Sequence, residues 1–202
     1  RTATVEAKEG ITGYGEMKVS YYKVVDGTAE ETETVNPVDA GTYEIRVTVT
    51  GGANYKAGTI AEVGVLTINK VDQEVPSVAV TPNTVKMTAS DMPVVEVANK
   101  ANAKGTVSYS LDEESAKVIA INETTGEITS LLKAGTATIK VTFGSTNNYN
   151  ETTAEVNLTV ELDELVAEDF NVTNNTYDFA EETERTATVE AKEGITGYGE
   201  MK

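Results

Sequence analysis

Apolar and polar residues alternate along most of this chain, a pattern typical of β-strands that bury one face and expose the other. The clearest case is residues 42–49, where Tyr43, Ile45, Val47 and Val49 share one face. Glycine, asparagine and aspartate separate such segments, and helical patterns are nearly absent. The pattern predicts strands at residues 3–8, 19–25, 42–49, 62–68, 78–80, 85–87, 94–97, 105–110, 118–121, 127–129, 136–143 and 154–160, with one or two edge strands at 170–172 and 176–179.

Two blocks of predicted strands end in the same way. Each has a strand led by Ala-Gly-Thr, then Asn-Tyr, and then a last apolar strand; the Asn-Tyr pairs are Asn54-Tyr55 and Asn148-Tyr149. Many short strands separated by turn residues favour a sandwich. We therefore expect an all-β, elongated chain of tandem Ig-like β-sandwich domains.

The chain carries an internal repeat, because residues 185–202 are identical to residues 1–18. The offset of 184 residues exceeds the roughly 20 to 50 residues of a solenoid unit and suits two domains. We therefore expect one period of a longer array, with one domain divided between the two ends. Its parts would be residues 1–70, a β domain that lacks its first strands; residues 71–162, a sandwich; and residues 163–202, the opening strands of the next copy.

The divided domain predicts a contact between molecules. Opening strands are not expected to be ordered by themselves, so residues 165–202 of one molecule would complete residues 19–70 of a neighbour by head-to-tail strand exchange. The alternative is that this segment packs on its own sandwich or is ordered by crystal contacts. The candidate contact residues are Phe170, Val172, Tyr177 and Phe179.

Composition excludes several classes of function. The 202 residues carry a net charge of -17 and include no histidine and no cysteine, so Ser-His-Asp and Cys-His sites, thiolate metal sites and disulfides are ruled out. The acidic balance opposes binding to nucleic acid and to anionic lipid, and no apolar run approaches the roughly 18 residues of a membrane span. We expect no enzyme activity, no catalytic or metal-binding residue, no cofactor, no nucleic-acid partner and no membrane insertion.

Two stretches carry a resemblance to known families. Residues 118–129 (VIAINETTGEIT) followed by residues 134–139 (AGTATI) resemble the bacterial Ig-like domain, group 2, over roughly residues 75–161. Residues 36–43 (NPVDAGTY), Asn54-Tyr55 and residues 66–70 (LTINK) resemble the MBG domain of bacterial surface adhesins. The expected Gly of that domain's opening is missing at residues 175–178 (NTYD). The resemblance implies an extracellular repeat protein of the bacterial surface, of the Gram-positive type and anchored to the cell wall through regions outside this chain. It transfers no catalytic residue.

The residues leave two functions open. The first is a structural spacer or stalk, whose short junctions limit hinge motion and whose partners are neighbouring repeats of the same chain. The alternative is weak multivalent binding of a host glycan or matrix protein; Tyr22 is the candidate glycan contact because Tyr21-Tyr22 must send one ring to each side of its strand. Stiffening by calcium near Glu161, Asp163 and Glu164, or by a Lys-Asn isopeptide bond, also remains open.

Overall fold

The computed structural model describes residues 2–173 and 187–200. The protein is all-β: the described residues form strands and three short 3-10 turns, and none of them forms a helix long and apolar enough to cross a membrane. The strands are β1 (Met17–Val25), β2 (Thr28–Glu33), β3 (Gly41–Val49), β4 (Gly58–Ile68), β5 (Val71–Asp72), β6 (Val78–Thr81), β7 (Thr84–Lys86), β8 (Val94–Val97), β9 (Val107–Leu111), β10 (Ile119–Ile121), β11 (Ile128–Leu131), β12 (Gly135–Phe143), β13 (Tyr149–Asn150), β14 (Thr152–Glu161), β15 (Phe170–Thr173) and β16 (Thr188–Ala191).

The first domain is built on one antiparallel sheet with strand order β2-β1-β3-β4. The alternation predicted for β3 is confirmed: Tyr43, Ile45 and Val47 are buried, and the residues between them are half-buried. Tyr43 and Ile45 share a small core with Tyr21 and Ile68. The segment before β1 covers part of this apolar face.

In the first domain one predicted strand is wrong and one observed strand was not predicted. Residues 3–8 were expected to form a strand, but they form none, although Ala3 and Val5 pack against the core. Strand β2 was not predicted, because its sequence TAEETE has almost no apolar residue. It forms because it continues the turn after β1 and pairs with that strand at the sheet edge.

The second domain has two layers around one core. One layer is the sheet β7-β14-β12-β9. The other combines the pairs β6-β8 and β10-β11, which a bridge between Val94 and Glu127 links. The fully enclosed side chains include Ile139, Val141, Phe143 and Leu158 from β12 and β14, and every second residue of β12 faces this core. This arrangement agrees with the sandwich expected from the sequence.

The C-terminal segment forms a separate antiparallel pair, β15-β16. The edge strand predicted at residues 170–172 is therefore confirmed, with Phe170 half-buried and Val172 exposed. Tyr177 and Phe179 lie outside the described residues.

Candidate functional site: the junction between the two domains

The second domain begins with a short parallel pair of strands. Strand β5 follows the first domain after two residues and pairs with β13, and the Val71 amide donates a hydrogen bond to the Asn148 carbonyl at 3.1 Å. The Asn150 side-chain amide donates to the Asp72 carboxylate at 2.7 Å. The loop that contains Asn148 therefore lies against the chain where it enters the domain.

Asn148 also bridges to the first domain. Its side-chain oxygen accepts a hydrogen bond from the Ala40 amide at 2.6 Å, and its side-chain nitrogen donates to the Asp39 carboxylate at 2.8 Å. Both polar ends of one side chain are thus used across the junction. Burial raises the pKa of Tyr43, and the nearby Asp39 carboxylate raises it further. The Tyr43 hydroxyl donates a hydrogen bond to the Asp39 carbonyl at 3.0 Å.

A buried glutamine holds the same loop from inside. The Gln73 side-chain nitrogen lies 3.0 Å from the Phe143 carbonyl oxygen, 3.1 Å from that of Gly144 and 2.9 Å from that of Asn150. Its side-chain oxygen accepts from the Lys104 amide at 3.2 Å. Since Gln73 follows β5 directly, it ties the start of the domain to the loop between β12 and β13.

The first domain uses its own asparagine in a related way. The Asn54 side chain donates to the Thr12 carbonyl at 3.0 Å, and the Asn54 amide donates to the Gly13 carbonyl at 3.0 Å. In both domains a backbone hydrogen bond to the tyrosine closes the loop. The Gly52 amide donates to the Tyr55 carbonyl at 2.9 Å, and the Thr146 amide donates to the Tyr149 carbonyl at 3.0 Å. The shared Asn-Tyr motif therefore braces the chain segment that leads into each domain.

The sequence alone did not identify Asn148 or Gln73 as residues of the junction. The recurrence of Asn-Tyr was a usable signal for Asn148. A single glutamine in a linker offers none, because only the fold brings three carbonyl groups to it.

Two of the acidic residues where the chain leaves the second domain, Glu161 and Asp163, are partnered. Lys86 donates to the Glu161 carboxylate at 2.9 Å, and the Thr88 amide donates to the Asp163 carboxylate at 3.1 Å. This hydrogen bond from Lys86 to Glu161 holds the pKa of Lys86 above its usual value. No group of three or more acidic, histidine or cysteine side chains suited to a metal occurs in residues 2–173 and 187–200.

Tyr22, the candidate glycan contact, lies on the face of β1 opposite to Tyr21. Tyr21 is buried and Tyr22 is half-buried. The Arg46 guanidinium lies over the Tyr22 ring, 3.9 Å from its centre. Arg46 also donates to Glu44 at 2.6 Å, a bond that lowers the pKa of Glu44 and raises that of Arg46. One ring face is thus already occupied.

Comparison with known proteins identifies no family. No protein-family model matches this chain, and no curated protein matches it. Among solved structures, Drosophila N-cadherin EC1-3 matches with 12% identity and a TM-score of 0.31, covering 73% of this chain and 56% of that chain. Drosophila N-cadherin EC1-4 matches with 12% identity and a TM-score of 0.28, covering 72% and 42%. The chain spans about half of the length of these structures, and similarity at this level does not identify a function.

Proposed function

We propose that this chain is a structural spacer, a stalk repeat that holds other parts of a surface protein at a distance. The observation that carries the proposal is the bridge from Asn148 to Asp39 and Ala40. A free linker would leave two neighbouring domains to rotate independently. Here the covalent connection and a second, hydrogen-bonded attachment lie side by side, which restricts rotation at the junction.

Sequence features support the same role. The identical residues 1–18 and 185–202 fit a protein in which repeat number sets length. The net charge of -17 makes neighbouring units repel each other and favours an extended chain. The resemblance to adhesin domains supports a place on the outside of a bacterial cell wall, and the lack of histidine and cysteine supports a non-catalytic role.

The junction can be tested by single-molecule energy transfer. Since the chain has no cysteine, dyes can be attached at Glu31→Cys in the first domain and Glu123→Cys in the second. We expect a narrow distance distribution that broadens in Asn148→Ala. The matched control is Asn147→Ala, because this neighbouring asparagine is exposed. A distribution that is broad already in the parent, or that Asn147→Ala broadens equally, contradicts a stiffened junction.

The second candidate is weak binding of a host glycan or matrix protein. Its support is weaker because Arg46 covers one face of the Tyr22 ring, and a sugar needs an open ring face for stacking. A chain of three repeats applied to glycan and matrix arrays separates the two functions. Saturable binding that scales with repeat number and is lost in Tyr22→Ala would replace the spacer proposal.

A further inference from the structure

An apolar groove of about 470 Å³ lies along the first domain. Its walls come from the segment before β1, from β3 and from β4, and include Val5, Ile11, Val47 and Ile60. Ile60 is 55% exposed. The backbone of residues 4–7 runs beside this groove without a strand partner, and these four residues make no backbone hydrogen bond to another described residue.

The chain contains a second copy of that segment in a different state. Residues 188–191 have the same sequence, TVEA, and form strand β16 paired with β15. The residues that follow adopt the same turn in both copies, with an amide-to-carbonyl bond from Ile11 to Lys8 at 3.0 Å and from Ile195 to Lys192 at 3.1 Å. The two copies therefore share the turn that follows, and they differ in whether β15 is beside the preceding four residues.

We propose that two copies of this chain associate head to tail, with β15 of one copy pairing antiparallel with residues 4–7 of the other. The register follows from the pairing observed with β16, where Phe170 faces Ala191 and Val172 faces Val189. Transferred to the first copy of the repeat, Phe170 faces Ala7, Asn171 faces Glu6 and Val172 faces Val5.

This register directs the apolar side chains into the groove. Directly paired residues of an antiparallel ladder lie on the same face of the sheet. Val5 packs toward the core of the first domain, and Val5, Glu6 and Ala7 all line the groove. In the ladder, Val172 and Phe170 would lie on the same face as Val5 and extend that apolar surface, while Asn171 and Glu6 would lie on the opposite face.

Charge complementarity supports the same alignment. In the β15-β16 pair, the Lys192 amide donates to the Asp169 carbonyl at 2.8 Å. The counterpart of Lys192 is Lys8, which lines the groove. Asp169 of the second copy would thus lie opposite Lys8, and opposite charges at directly paired positions stabilise a ladder.

The existing partner of β15 leaves apolar surface uncovered. Val172 is 51% exposed and Val189 is 45% exposed, and an isolated pair of strands is marginally stable in water. Exchange of β16 for residues 4–7 keeps the same ladder and adds the sheet β1–β4 beneath it. When β15 leaves β16, it loses its ladder hydrogen bonds and forms the same number with residues 4–7 of the other copy. The burial of Phe170 and Val172 then favours association.

Disulfide trapping tests the proposal on full chains. One chain carries Glu6→Cys and another carries Asn171→Cys; both positions are exposed, so folding is preserved, and the parent has no cysteine. In a mildly oxidising mixture at micromolar concentration we expect the mixed disulfide at least about tenfold faster than from random collision, because pairing raises the effective concentration.

Two controls make the result decisive. Glu31→Cys places the same substitution on β2, an edge strand of the first domain's sheet, and Thr173→Cys lies two residues along β15. Preferential reaction of Glu6→Cys with Asn171→Cys supports the proposal. Equal rates with Glu31→Cys, or faster reaction with Thr173→Cys, overturn it.

A second measurement does not rely on cysteine. In sedimentation velocity, Val172→Ser should weaken self-association by about tenfold or more, whereas Val25→Ser, at another exposed valine, should leave it unchanged. Parent chains that stay monomeric at all concentrations would also overturn the proposal. The spacer role does not depend on this contact, since the junction experiment is performed on single molecules.

Discussion

Replacing Gln73 by alanine should destabilise the second domain by about 1.5–4.5 kcal/mol. The side-chain nitrogen has two hydrogens shared among three carbonyl groups, and the side-chain oxygen accepts one more bond from Lys104. Three net hydrogen bonds at about 0.5–1.5 kcal/mol each set this range. Gln73 is 5% exposed and Phe143 is enclosed completely, so water cannot easily replace the lost donor at the Phe143 carbonyl.

Amide hydrogen exchange measures this change in the intact chain. The slowest amides of β12, at Ile139 and Val141, report the free energy of global unfolding of the second domain. Both amides should exchange faster in Gln73→Ala, and the change should correspond to the whole loss in the free energy of unfolding. Glu74→Ala is the matched control, because Glu74 is the next residue and is exposed. A loss below about 1 kcal/mol in Gln73→Ala, or an equal loss in Glu74→Ala, would refute the role assigned to Gln73.

Three further changes test the core, a turn and an acidic group. Ile139→Ala removes a fully buried side chain and should cost about 2–5 kcal/mol by the same exchange assay. Gly126→Ala should destabilise the second domain, because φ is +79° and the new Cβ would lie 2.6 Å from the Tyr109 ring; thermal unfolding followed by circular dichroism would detect it. The Ser115 amide holds the pKa of Asp112 below its ordinary value of 3.8. The stability that this bond provides is therefore complete above that value and lost as pH falls through the lower, folded-state pKa. Carboxyl titration of the parent protein by NMR should show the lowered pKa of Asp112, and a normal pKa there would contradict the reasoning. The stability of Asp112→Asn should lose this dependence on acid pH.

The sequence predicted the fold best where burial alternates strictly. Strand β3 buries every second residue, and β12 does so over nine residues, so their faces can be assigned without a structure. Strand β2 has no such pattern. It is fixed by the turn after β1 and by backbone bonds at the edge, which any side chain permits.

The repeated segment shows a limit of local prediction. Residues 4–7 and 188–191 have one sequence, yet only the second copy is a strand. A strand needs a partner for its backbone groups, and no rule that reads only the segment itself can supply one. The candidate site has the same dependence on distant residues: Asn148 meets Asp39 and Ala40 across more than a hundred residues of chain.

The junction has a directional consequence. Two attachments join the domains, the covalent link after Ile68 and the bridge at Ala40, and Gly41 pairs with Ile68 in the sheet, so these points lie about 5 Å apart, one strand spacing. Two points define an axis. Tilting about that axis disturbs these attachments least, whereas rotation about the other two directions separates Asn148 from Asp39 and Ala40. A chain of such units would bend more easily in one direction than in the perpendicular direction.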